Sequence, residues 1–122
     1  MKEGMNMEAL FIVLNDLDKF EDLCVELMDR GVRGGTIMES TGLVHTIGDL
    51  DDEDFHFGGL RSLLNPKRKK SKTMFFVGNE KQISVIIDTV KEVIDINAPD
   101  TGIMFTFPVR NIFGIKGVKD ND

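Results

Sequence analysis

The sequence contains no tryptophan, no tyrosine, three prolines and a single cysteine. One cysteine excludes an internal disulfide framework and fits a reducing compartment. Cys24 falls on an apolar helical stripe, where it serves as a small core residue. No apolar run approaches the ~20 residues of a membrane-spanning helix. Met1 to Met7 shows no basic start followed by an apolar stretch, so the expectation is a cytoplasmic protein without a secretory leader. Cations are in the minority: 15 Lys and Arg stand against 21 Asp and Glu, a net charge of −6. That balance argues against sequence-independent nucleic-acid binding. Recognisable catalytic groupings are missing too. No Ser, His and acid set has a nucleophile setting. The carboxylates between Asp49 and Asp54 crowd one segment, without the opposed environments that acid and base roles need. The expectation is a protein that is not an enzyme.

What remains is an ordinary globular composition, 41% apolar and 30% charged over 122 residues. That length makes one domain with a modest core, which a stabilising partner would help.

Ala9 to Leu14 is a continuous apolar run, read as a buried strand. Asp18 followed by Glu21 has the form of a capping box, and Leu17, Phe20, Leu23, Cys24 and Leu27 follow helical spacing. Gly31 ends that helix. Thr36 to Ser40 is a second strand of mixed polarity and Met74 to Val77 a third, apolar one. Asn79 with Gln82 forms a second capping box, ahead of a stripe of Ile83, Ile86, Ile87, Val90, Val93 and Ile94. Asn97-Ala98-Pro99-Asp100 breaks this helix, Ile103 to Phe107 is a fourth strand, and Pro108 ends it.

Between the second and third strands, at 43–72, about 30 residues show no period, a length that in a compact domain often carries function. This loop is acidic at Asp49 to Asp54 and basic at Lys67 to Lys72. Between them lies an apolar patch of Phe55, Phe57, Leu60, Leu63 and Leu64, suited to contact a partner or to fold back on the protein. The tail at 116–122 is polar and expected to be loose.

The order β-α-β-β-α-β predicts an α+β, ferredoxin-like sandwich, with a four-stranded antiparallel sheet and two helices on one face. The first strand is apolar on both faces: Leu10, Ile12 and Leu14 on one, Phe11 and Val13 on the other. Two helices cover one face, so a homo-oligomer is expected to cover the second.

Two segments carry a family resemblance: Gly31-Val32-Arg33-Gly34 leading into the second strand, and Gly102-Ile103-Met104-Phe105-Thr106-Phe107-Pro108-Val109 in the fourth. With the element order, they make the chain resemble the nitrogen regulatory P-II signalling family from about Ala9 to Lys116. P-II proteins are homotrimers that bind ATP or ADP between subunits, often with 2-oxoglutarate and magnesium. Their long loop regulates a transporter, enzyme or other protein. The resemblance implies a nitrogen-type signalling role with a small effector, and ATP, ADP or AMP as the nucleotide. The site it implies comprises Thr36, Ser40, Thr41, Gly42, Val77, Asp100, Gly102, Ile103, Met104 and Lys116, with the apolar loop patch as the partner surface and a membrane transporter as one kind of partner.

The chain departs from that family's pattern at several places. Ile103 stands where the family has a phosphate-binding lysine. No glutamine lies near Thr46, and Gly114 with Lys116 replaces two arginines. The loop tyrosine that the family modifies has no counterpart. Fewer cations weaken phosphate binding, since a charge-assisted contact contributes ~1.5–3 kcal/mol. A cyclic dinucleotide or another small molecule therefore stays open beside the adenine nucleotides. Two other readings of the fold also stay open. One is a trimeric metal-handling protein of the divalent-cation tolerance type, using His45, His56 and the acidic run. The other is a dimeric, ferredoxin-like amino-acid-binding regulatory domain.

Overall fold

A computed structural model describes residues 6–42 and 70–115. The elements are β1 (Met7–Leu14), α1 (Phe20–Asp29), β2 (Thr36–Ser40), β3 (Ser71–Asn79), α2 (Glu80–Val93) and β4 (Gly102–Pro108). The fold is α+β, as the sequence order implies. The four strands form one antiparallel sheet in the order β2-β3-β1-β4, so the two most apolar strands are central.

The alternation along β1 sets the layers. Leu10, Ile12 and Leu14 are fully buried beneath the helices, with Met74 and Phe76 of β3 on the same face. Leu23 and Leu27 of α1 and Ile83, Ile86 and Val90 of α2 close this core, with Ile94 just beyond α2. Cys24 packs against it half-buried, as its place on the stripe implies, and burial raises its thiol pKa, with a smaller push from Glu21.

Each helix is stopped by identifiable chemistry. α1 ends in a Schellman arrangement: the Gly31 N–H donates to the Met28 carbonyl at 3.0 Å and the Val32 N–H to the Leu27 carbonyl at 3.0 Å. Gly31 has φ +89°, a conformation that glycine adopts at little cost. α2 begins with the capping box expected from Asn79 and Gln82, both bonds at 2.8 Å.

Three sequence expectations need correction. Asp18 makes no cap: α1 starts at Phe20 behind Lys19, without a side-chain cap bond. The Phe20 N–H is already taken by the Leu17 carbonyl in a tight turn (3.1 Å), and the Asp16 carboxylate accepts from the Asp18 N–H (3.1 Å). The third strand is longer than its apolar run, covering Ser71–Asn79. The loop therefore ends before Ser71 rather than at Lys72, whose ammonium pairs with Glu39 at 3.7 Å and lies over the Phe20 ring. Polar residues mark this part of β3 because it pairs with the polar end of β2, Ser40 opposite Ser71 and Glu39 opposite Lys72.

Among the described residues, no helix packs on the second face of the sheet. Phe11, Phe75, Phe105 and Phe107 stack across it, with Phe105 and Phe107 still 44% and 45% exposed. The two-sided apolarity of β1 thus appears as a bare aromatic face.

Candidate functional site

The residues proposed from sequence to hold a ligand fall on opposite edges of the sheet. Thr36 and Ser40 lie on the β2 edge, and Gly102, Ile103 and Met104 on the β4 edge. Three ladder spacings separate β2 from β4, about 14 Å. Ser40, Thr41 and Gly42 reach the same end of the sheet as Gly102, because Ser40 faces Ser71 while Leu14 faces both Lys72 and Gly102. A single chain therefore brings these two groups to the same end but not together.

Each group has its own local cause. The Ser40 hydroxyl bonds the hydroxyls of Ser71 (3.0 Å) and Thr73 (2.9 Å), tying the end of β2 to the start of β3. Gly102 is forced to be glycine by packing, since a Cβ there would strike the Val13 carbonyl of the adjacent strand. Asp100 precedes it with φ +60°, a left-handed conformation that Asp tolerates. The Thr101 carbonyl accepts from the Asn15 N–H at 2.8 Å and the Asp16 N–H at 3.2 Å, fixing this turn against the end of β1. Ile103 is exposed on the bare face, whereas Met104 packs on the helix-side core. Lys116, the loop patch Phe55, Phe57, Leu60, Leu63 and Leu64, and His45, His56 and the run Asp49 to Asp54 lie outside the described residues.

Thr36 and Val77 do meet, at a cavity of about 810 Å³. That volume lies within the ~300–1,000 Å³ typical of small-molecule sites. The cavity exists because β2 starts late: its pairing ends with Thr36 opposite Phe75, so Phe76 to Asn79 have no β2 partner. The linker Gly31-Val32-Arg33-Gly34-Gly35 passes this unpaired stretch of β3, the first turns of α2 supply Lys81 and Gln82, and Gly114 and Ile115 complete the wall. Gly34 and Gly35 both have positive φ, +81° and +99°. A Cβ on Gly35 would collide with the Phe76 ring. Arg33, part of the motif that leads into β2, lines the cavity while its guanidinium donates to the Met28 (3.1 Å) and Val32 (2.9 Å) carbonyls.

Arg30 and Lys81 line the same cavity and were not foreseen. Arg30 is bound to Glu92 (2.5 Å), Glu26 (3.0 Å) and Thr89 (3.2 Å). Its sequence signal is weak, because a residue just after a helix has no fixed facing partner. Lys81 lies inside the second capping box, between Asn79 and Gln82, and only the late start of β2 makes that position face a cavity.

No family model matches the sequence, and no curated protein matches it. Solved structures do. The chain is similar to Arabidopsis thaliana PII bound to citrate, with a TM-score of 0.61 and 16% identity over 94% of this chain and 88% of that one. It is similar to the B. subtilis GlnK–ATP complex, with a TM-score of 0.54 and 19% identity over 85% and 82%. It is also similar to CPII bound to ADP and bicarbonate from Thiomonas intermedia, with a TM-score of 0.53 and 13% identity over 85% and 86%. The chain has the P-II fold. The resemblance read from the two glycine-bearing segments thus extends to the architecture. Among the described residues, no helix of this P-II fold is long and apolar enough to cross a membrane.

Proposed function

We propose that this chain is a divergent P-II-like regulator: a homotrimer that binds a small effector in clefts between subunits and acts on a partner protein without a chemical step. The observation that carries this reading is the division of the candidate residues between the two edges of one sheet. Thr36 and Ser40 on one edge meet Gly102 on the other only if a second copy brings its β4 edge alongside. The bare face of stacked Phe11, Phe75, Phe105 and Phe107 supplies the reason for copies to associate, since burying it removes apolar surface from water.

The effector in this reading is an adenine nucleotide, ATP, ADP or AMP. Neighbours of the same fold carry ATP in one case and ADP with bicarbonate in another. The 810 Å³ cavity is the part of the site that one chain builds alone. The unpaired stretch of β3 offers backbone donors and acceptors to a planar base, and Thr36 adds a hydroxyl. The segment between Gly42 and Ser71, whose flanking strands are tied by the Ser40, Ser71 and Thr73 hydroxyls, is the one through which occupancy reaches the partner.

Thermal unfolding against ATP, ADP, AMP, cyclic di-AMP, 2-oxoglutarate, citrate, bicarbonate and zinc tests this function. A ligand that binds only the folded protein stabilises it by about 2.7 kcal/mol at a hundredfold excess over its dissociation constant. The expected result is a rise in midpoint with an adenine nucleotide. A rise with zinc alone, or with none of the nucleotides, contradicts the proposal.

A further inference from the structure

The charge of the cavity opposes the charge of the protein. The chain carries a net −6, yet among the described residues the ionisable side chains lining the cavity are all cations: Arg30, Arg33 and Lys81. Two of the three are committed. Arg30 is neutralised by Glu26 and Glu92, and Arg33 spends its guanidinium on the carbonyls at the end of α1. Lys81 has no ion pair or hydrogen bond with any described residue. It stands exposed on the first turn of α2.

The backbone of the same cavity points the same way. The N–H groups of Arg33, Gly34 and Gly35 donate to no carbonyl outside the strand ladders. Gly34 and Gly35 leave this stretch without side chains, so a ligand reaches the peptide groups directly. An ammonium and amides that have no partner among the described residues, lining one concave site, concentrate anions there against the repulsion of an acidic protein.

We propose that Lys81, with the N–H groups of the Arg33–Gly35 linker, forms an anion subsite in this cavity. It takes a phosphate or carboxylate group of the effector. The proposal rests on the cavity being the chain's own part of the effector site, and it names the group that selects charged effectors over neutral ones. Arg30 and Arg33 hold structure, while Lys81 sets specificity.

The test uses the full-length chain labelled with nitrogen-15 and titrated with inorganic pyrophosphate, then with adenosine and ADP. Pyrophosphate is expected to move the Gly34 and Gly35 amide resonances saturably. Lys81→Gln is expected to weaken pyrophosphate and ADP by about tenfold, Lys81→Arg to restore most of it, and adenosine to bind both proteins alike. Linker amides unmoved by pyrophosphate, or ADP bound equally by wild type and Lys81→Gln, overturn the subsite. Pyrophosphate shifts lost in Lys81→Gln, without binding of any adenine compound, uphold the subsite and overturn the nucleotide reading. The two failures are therefore distinguishable.

Discussion

Phe11 and Phe75 stack with their ring centroids 5.2 Å apart and their planes 14° from parallel, on the side of the sheet where no described helix packs. They belong to the two central strands, and Phe105 and Phe107 extend the stack onto β4. Four aromatic rings on this face make it the interface that the trimer proposal requires.

Phe105→Glu is the direct probe of that interface. The side chain is 44% exposed in the single chain, so the change disturbs the helix-side core little. The expected outcome is a sedimentation mass near the 13.7 kDa of one chain, with the helical circular dichroism retained. A variant that keeps the wild-type mass places the interface elsewhere.

The two neighbouring glycines of the linker should respond differently to alanine. Gly34 has positive φ but open space around a Cβ, so Gly34→Ala is expected to cost about 1–2 kcal/mol from backbone strain alone. Gly35 has the same strain and also meets the Phe76 ring, which adds about 1–3 kcal/mol of overpacking. Urea unfolding of both variants measures the difference. Equal losses would show that the ring moves aside freely.

The Arg30–Glu92 pair ties the end of α1 to α2 and gives stability a pH dependence. Hydrogen bonding to Arg30, and then its charge, hold the Glu92 carboxyl below the usual carboxylate range. A carboxyl whose folded pKa is depressed stabilises the fold above its unfolded pKa. That contribution is lost as pH falls through the lower, folded value. In Glu92→Gln this part of the acid-side decline should disappear, leaving a shallower slope of unfolding free energy below the ordinary carboxylate pKa. An unchanged slope would mean the pair does not persist in solution.

The two capping-box signatures make a matched pair. Asn79→Ala should cost about 1 kcal/mol, because the Gln82 N–H loses the side-chain oxygen that accepts it at the start of α2. Asp18→Ala should stay within about 0.5 kcal/mol, because Asp18 caps nothing. Chemical denaturation of the two variants checks both values.

That pair also shows what the sequence reveals and where it stops. Hydrophobic period placed β1, α2 and the central position of β3, because Leu10, Ile12 and Leu14 have a single buried face to occupy. Asn79 announced its cap because the bond lies within one turn. Asp18 carried the same signature, but Asp16 and Leu17 form a competing turn that spacing alone does not reveal. The polar first residues of β3 were invisible for a similar reason. Ser71 and Lys72 are strand residues through their pairing with Ser40 and Glu39, a relation that exists only after folding. Of the cavity lining, Thr36 and Val77 were named through the family resemblance. Lys81 was not, since its importance comes from where β2 begins. Gly102 was legible as a required glycine, but a close strand requires it, independently of any ligand.

The central claim is that effector clefts lie between copies of this chain. Native mass spectrometry of the full-length protein with ADP reads assembly and occupancy together. The account predicts a species of three times the 13.7 kDa chain mass that binds up to three nucleotides. A monomer or dimer at micromolar concentration, or a trimer that binds none of ATP, ADP and AMP, would contradict it.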